Sequence, residues 1–298
     1  MIKTSSLSGL GAIAHDYDVI LCDIWGVVHN GRAHYAKACA ALSAFRAQGG
    51  TVILVTNAPR PYPPILEQVA RLGAPDSAYD AIVTSGDVTL SFIVERGEAP
   101  LYHIGPERDL AFFDILKDRF GINPPRVDLE TASYVVCTGL FHDEHETPED
   151  YRTSFTTMLR RKLDFISANP DLVVHVGDHE LYCAGALAQS YEQMGGRVYQ
   201  AGKPFAPIYE RALKLATDHR KAAIDRRRVL AIGDAMRTDI RGAHDQNFQS
   251  IFISQGIHRA QLHPNSKAQL GPMDQKAYAE LTHSAGIVPD FIMPELSW

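Results

Sequence analysis

Sulfur is scarce in this chain. Cys22, Cys39, Cys137 and Cys183 are its four cysteines, spread over 298 residues with no Cys-x-x-Cys pair. That spacing argues against a disulfide framework and predicts buried, reduced thiols in a cytoplasmic protein. Long apolar runs are missing too: no stretch reaches the roughly 18 residues that a membrane span needs. The first twenty residues, MIKTSSLSGLGAIAHDYDVI, lack the basic start and long apolar centre of a secretory signal. There is no excess of basic residues, and a net charge of −6 argues against a nucleic-acid partner. Internal repeats and low-complexity tracts are absent. What remains, 45% hydrophobic and 21% charged residues, suits a globular chain able to bury a core, long enough for two domains.

Short β-rich runs alternate with longer segments of helical period, the pattern of βαβ units around a parallel sheet. DVILCD at 18–23 reads as a buried strand, and YAKACAALSAFRAQGG at 35–50 as a helix closed by glycine. TVILVTN at 51–57, PPILEQVARLG at 63–73 and AIVTSG at 81–86 repeat the rhythm. LYHIG, SYVVCTG and DFISANPD read as strands of a middle region, with LAFFDILKDRFG as a helix among them. From VYQAGKP at 198–204 the first rhythm returns. RVLAIGDAMRTDIRGA at 228–243 reads as strand, loop and helix, SIFIS at 250–254 as a strand, and GIVPDFIMPELSW as one last edge strand with a tail. The expected organisation is a discontinuous core, 1–86 and 197–298, with 87–196 inserted as a second α/β domain.

In open α/β sheets the ligand crevice lies beyond the carboxyl ends of the strands. Asp23, Thr56 with Asn57, and Gly233 with Asp234 all end predicted strands, Asp239 follows about one turn into the next element, and Lys203 lies between a strand and a helix. This set suits phosphoryl transfer to a carboxylate. Asp23 can attack phosphorus and split one hard step into two. Lys203 supplies positive charge, and Thr56 and backbone N–H groups supply hydrogen bonds for a transition state whose charge lies on oxygens. Asp23 and Asp234 can hold Mg²⁺, a hard cation content with few carboxylates.

The ordered motifs DIWGV at 23–27, VTN at 55–57, GKP at 202–204 and GDAMRTD at 233–239 resemble the haloacid dehalogenase (HAD) superfamily. The large insert, with TSG at 84–86, ANPD at 168–171 and CAGALAQSYEQMGG at 183–196, is similar to its class IIA, NagD-like phosphatase branch. The resemblance implies a Rossmann-like core, a mobile α/β cap that sets specificity, and Mg²⁺-dependent hydrolysis of small phosphorylated metabolites. It also implies Asp23 as nucleophile, Thr56 and Asn57 on the phosphoryl group, and Lys203 steadying its charge. Asp234 and the Trp25 backbone carbonyl become metal ligands, Asp239 a support of the metal site, and cap-to-cap homodimers an option.

One position departs from the family pattern. Its phosphatases carry a second Asp two residues after the nucleophile as general acid and base, and here Trp25 cannot transfer a proton. General acid–base help is worth roughly 10²–10⁴-fold in rate, so slow turnover, a preference for phenolate over alkoxide leaving groups and an accumulating aspartyl-phosphate are expected. His29, in the predicted flap, is a candidate substitute acid. The alternative is a phospho-ligand-binding or regulatory protein that keeps the site without turnover. Read alone, Asp23 and the GDxxxxD segment are also plain turn or helix-capping residues. Three decoys are set aside: GLGAIA at 9–14, placed before the first predicted strand; HDEHE at 142–146, read as a solvated loop; and DHRKAAIDRRR at 218–228, read as a solvated helix end and turn.

Overall fold

A computed structural model describes residues 4–176, 179–264 and 272–298. The chain divides into two compact units, one of Met1–Thr56, Leu66–Val83 and Tyr209–Trp298, the other of Asn57–Ile65 and Thr84–Ile208.

The first unit is built on a seven-stranded sheet in the order Ser5–Ser6, Phe291–Met293, Gln249–Ile253, Val229–Gly233, Val19–Asp23, Thr51–Thr56, Ala81–Thr84. Parallel registers join Val19–Asp23 to Val229–Gly233 on one side and to Thr51–Thr56 on the other. Every residue of VILCD is buried, as expected for a parallel strand covered on both faces. The crossover helix Ala36–Ala47 turns Ala38, Cys39, Ala41, Leu42 and Phe45 inward, at helical spacing.

One detail differs from the sequence reading. The last strand, Phe291–Met293, is not an edge: Ser5–Ser6 pairs outside it, with Ser5 N–H donating to Asp290 O and Leu7 N–H to Ile292 O. A two-residue polar strand carries no apolar run to announce it. GLGAIA therefore follows a strand after all, but it forms a short 3₁₀ turn, and a Cβ at Gly9 would lie 2.2 Å from Trp298 O. The basic segment before Val229 is a mostly exposed helix end and turn, as expected, and two of its arginines also bind inward. Arg220 donates to Asp18 O, Gly49 O and Thr51 Oγ1, and Arg228 grips the Asp18 carboxylate at 2.8 Å. The Arg228 hydrogen bond holds the Asp18 carboxyl below the usual range. These two arginines tie down the amino ends of the two central strands.

The second unit holds a four-stranded parallel sheet in the order Arg197–Gln200, Asp164–Ser167, Tyr134–Cys137, Leu101–Ile104. Alternation along its strands feeds two apolar clusters. Val135 and Phe165 join Phe155, Leu187 and Tyr191, whereas Tyr134, Val136 and Ile166 join Leu90, Phe112 and Phe113. Both faces of this sheet are therefore covered. An antiparallel pair, Val173–Val176 with His179–Tyr182, adds a separate two-stranded ribbon. HDEHE lies in an exposed turn, where Glu146 accepts from His142 N–H and Tyr151 O–H. All four cysteines are buried thiols outside any disulfide. Among the described residues, no helix is long and apolar enough to cross a membrane.

Candidate active site

Parallel register decides where the acidic groups stand. Ile232 pairs with Cys22, so Gly233 is level with Asp23 and Asp234 lies one residue beyond it, at the same end of the sheet. Asp23 likewise pairs with Val55, which puts Thr56 one residue past it on the neighbouring strand. After Asp234 the chain makes a π-helical turn, Met236–Ile240, in which Ala235 O accepts from both Asp239 N–H and Ile240 N–H. Such widened turns recur at functional sites. Here it brings Asp239 back toward the strand end. Asp23, Asp234 and Asp239 are all buried, and one carboxylate oxygen of each lies within 4.8 Å of the others.

Asp239 and Asp234 are both held by the fold. Asp239 Oδ2 accepts from the backbone N–H of Asp234 at 3.1 Å and of Ala235 at 3.0 Å. It therefore fixes the loop that presents Asp234, and it is not a helix N-cap. Asp234 Oδ2 accepts from Ile257 N–H at 2.7 Å. Two glycines close in on the same oxygen: a Cβ at Gly26 or at Gly256 would each lie 2.0 Å from Asp234 Oδ2. Gly26 also has φ +84°, a left-handed conformation that side chains resist. Replacing Asp239 by Ala strips two buried N–H groups of a charged acceptor. We expect that variant to lose about 3 kcal/mol of stability in urea unfolding, against less than about 1 for Asp239→Asn, whose amide oxygen can still accept.

An all-oxygen set of three buried carboxylates fits a hard divalent cation such as Mg²⁺. Like charges this close in a buried site repel strongly unless a cation or protons offset them.

Trp25 stands two residues after Asp23, in the loop that follows the strand. Its indole is half exposed, meets the His29 ring edge-on at 5.3 Å, and fills the space where a Cβ on Gly31 would stand. His29 is buried beneath this arrangement, and its Nδ1 accepts from Gly31 N–H at 3.1 Å. Burial holds the imidazole pKa below its ordinary value, so His29 is a neutral structural group at pH 7 and a poor general acid.

In the second unit Asn57 and Lys203 come together, both buried. Asn57 Oδ1 accepts from Lys203 N–H at 2.7 Å, and Asn57 Nδ2 donates to Lys203 O at 3.1 Å and to Asp171 Oδ1 at 2.8 Å. A Cβ at Gly202 would lie 2.4 Å from Asn57 Oδ1, which accounts for the glycine of GKP. The Asn57 amide thus locks the backbone that carries Lys203.

Sequence reasoning missed Gly256 and Ile257, whose contribution is a glycine surface and a backbone N–H. The one signal was position, a glycine three residues after the strand Gln249–Ile253. Tyr35 was missed as well; burial and then the negative charge of Asp234 push its phenol pKa up.

This is the fold and carboxyl-end acidic cluster of a parallel α/β hydrolase, and the comparisons name the class. The haloacid dehalogenase-like hydrolase family matches residues 20–116, and the HAD-hydrolase-like family matches residues 200–273. A haloacid dehalogenase-like hydrolase from Brucella suis 1330 is 43% identical, with a TM-score of 0.81 over 97% of this chain and 99% of that one. The chain belongs to the haloacid dehalogenase-like hydrolases. Its fold is shared more distantly by p-nitrophenyl phosphatase from Archaeoglobus fulgidus (18% identity, TM-score 0.69, 94% of this chain and 97% of that one). NagD from Escherichia coli K-12 shares it too (21% identity, TM-score 0.64, 94% and 96%). No curated protein sequence matches the chain.

Proposed function

We propose that this hydrolase is a Mg²⁺-dependent phosphatase of small phosphomonoesters. The observation that carries the reading is the buried cluster of Asp23, Asp234 and Asp239, with ligand atoms within 4.8 Å of one another. A p-nitrophenyl phosphatase of the same fold points the same way. Asp234 and Asp23 would hold the ion with the Trp25 carbonyl, and Asp239 would steady Asp234. When bound, the ion offsets the negative charge of nucleophile and phosphoryl group.

The remaining work belongs to the chain. An Asp23 carboxylate oxygen forms a bond to phosphorus as the P–O bond to the leaving group breaks, and the leaving oxygen keeps the electron pair. Thr56 and the backbone N–H of Asn57 bind the phosphoryl oxygens, and Lys203 offsets their charge. The Asn57 side chain serves to position Lys203. Water then attacks phosphorus, inorganic phosphate leaves, and Asp23 is regenerated. Trp25 has no proton to give in the first step or to take in the second, and His29 is neutral with Nδ1 already accepting. The leaving oxygen must therefore take its proton from water, which favours acidic leaving groups.

The test is hydrolysis of p-nitrophenyl phosphate and a panel of metabolite phosphates. Slow turnover that EDTA abolishes and Mg²⁺ restores is the expected result. The indole at position 25 is the observation that favours a second reading, a phospho-ligand-binding or regulatory protein. Tight phosphate-ester binding with no turnover on any substrate would establish that reading instead.

A further inference from the structure

Asp234, one of the three buried carboxylates, is flanked within the first unit by segments that carry exposed apolar side chains. Trp25 is 49% exposed, Tyr35 39% and Ile257 57%. Single exposed hydrophobics are ordinary, but these three belong to segments that adjoin one acidic group. Trp25 is bonded to Gly26 and Ile257 to Gly256, the two glycines that pack against Asp234 Oδ2. Tyr35 lies close enough for its phenol to feel the Asp234 charge. The indole is also held in place, edge-on to His29 and against Gly31, so that ordering it costs little on binding. A site with a few buried polar groups and an apolar, aromatic surround is the usual form of a small-molecule pocket.

We propose that Trp25, Tyr35 and Ile257 form a rim that receives an aromatic ring on the leaving group of the substrate. This rests on the phosphatase reading and specifies its substrate class as aryl or arylmethyl phosphates. The claim differs from a preference for acidic leaving groups. A rim recognises the ring itself, whether or not the oxygen attached to it departs easily. Position 25 then exchanges a proton-transfer group for a binding surface.

Non-hydrolysable probes separate ring recognition from chemistry. With Mg²⁺ present, benzylphosphonate should bind about tenfold more tightly than methylphosphonate, the scale of one good aromatic contact with its buried area. Trp25→Ala should bring the two within about twofold, and Trp25→Phe should retain most of the preference. A second readout uses native Trp25: in a Trp298→Phe protein, which leaves Trp25 as the only indole, benzylphosphonate should change the tryptophan emission and methylphosphonate should not. Equal affinity for the two phosphonates in the wild type, or a preference that survives Trp25→Ala, overturns the rim. If p-nitrophenyl phosphate is hydrolysed while the phosphonates bind alike, the phosphatase reading stands and the rim falls. If the ring preference and emission change appear without hydrolysis of any ester, the rim stands and the catalytic reading falls.

Discussion

The Asp23→Asn protein should fold, melt near the wild-type temperature and lose at least about 10⁴-fold of its turnover on p-nitrophenyl phosphate. The substitution is isosteric, at the buried end of a strand whose other residues are all apolar, so packing is preserved. The amide nitrogen is no nucleophile and the amide oxygen a feeble one, so the covalent step fails while the phosphoryl-binding groups remain. Any remaining rate would come from positioning a water in their place. One of three clustered charges is also removed, so Mg²⁺ should raise the melting temperature of the variant less than that of the wild type. Rapid-mixing kinetics give a sharper check. The wild type should release a burst of nitrophenolate as Asp23 becomes phosphorylated, and the variant should show none. A burst of equal size in Asp23→Asn would place the nucleophile elsewhere.

Asp23 and Asp234 were legible in the sequence for a geometric reason. Parallel strands in register turn residues that end apolar runs into neighbours on one sheet edge, so VILCD and VLAIG, read separately, already place two carboxylates side by side. Asp239 was legible as a member of the cluster but not in its manner of support. Its hold on two backbone N–H groups depends on a π turn, and local spacing does not distinguish that turn from an ordinary helix start. Asn57 carries a second role that its place at a strand end does not announce: its side chain holds Lys203 and Asp171, partners 146 and 114 residues away. Gly256 and the Ile257 N–H act through backbone atoms, which leave almost no mark on residue type. The strand Ser5–Ser6 and the Arg220 and Arg228 staples escaped because their partners lie at the far end of the chain or across the sheet.

Trp25→Asp should raise kcat on alkyl phosphates such as glycerol 2-phosphate by about 10²-fold or more, within the range general acid–base catalysis supplies. An alkoxide is a poor leaving group without a proton, and a carboxyl group at this position can deliver one and later accept one from the attacking water. Because the wild-type indole is half exposed, its removal leaves a notch at the surface and not a core cavity, and the fold should tolerate it. Aryl phosphates should respond differently. A phenolate departs without help, so kcat/KM gains little from the carboxyl group and falls with the lost ring contact, while kcat rises through the assisted water attack. The ratio of alkyl to aryl kcat/KM should therefore shift further than either value alone, and the nitrophenolate burst should shrink as water attack on the phosphorylated Asp23 is assisted. The outcome that would defeat this account is an equal gain in kcat/KM on both classes of ester. That ratio reports the step in which the leaving group departs, where a proton-transfer group lowers the barrier only if a proton is in demand.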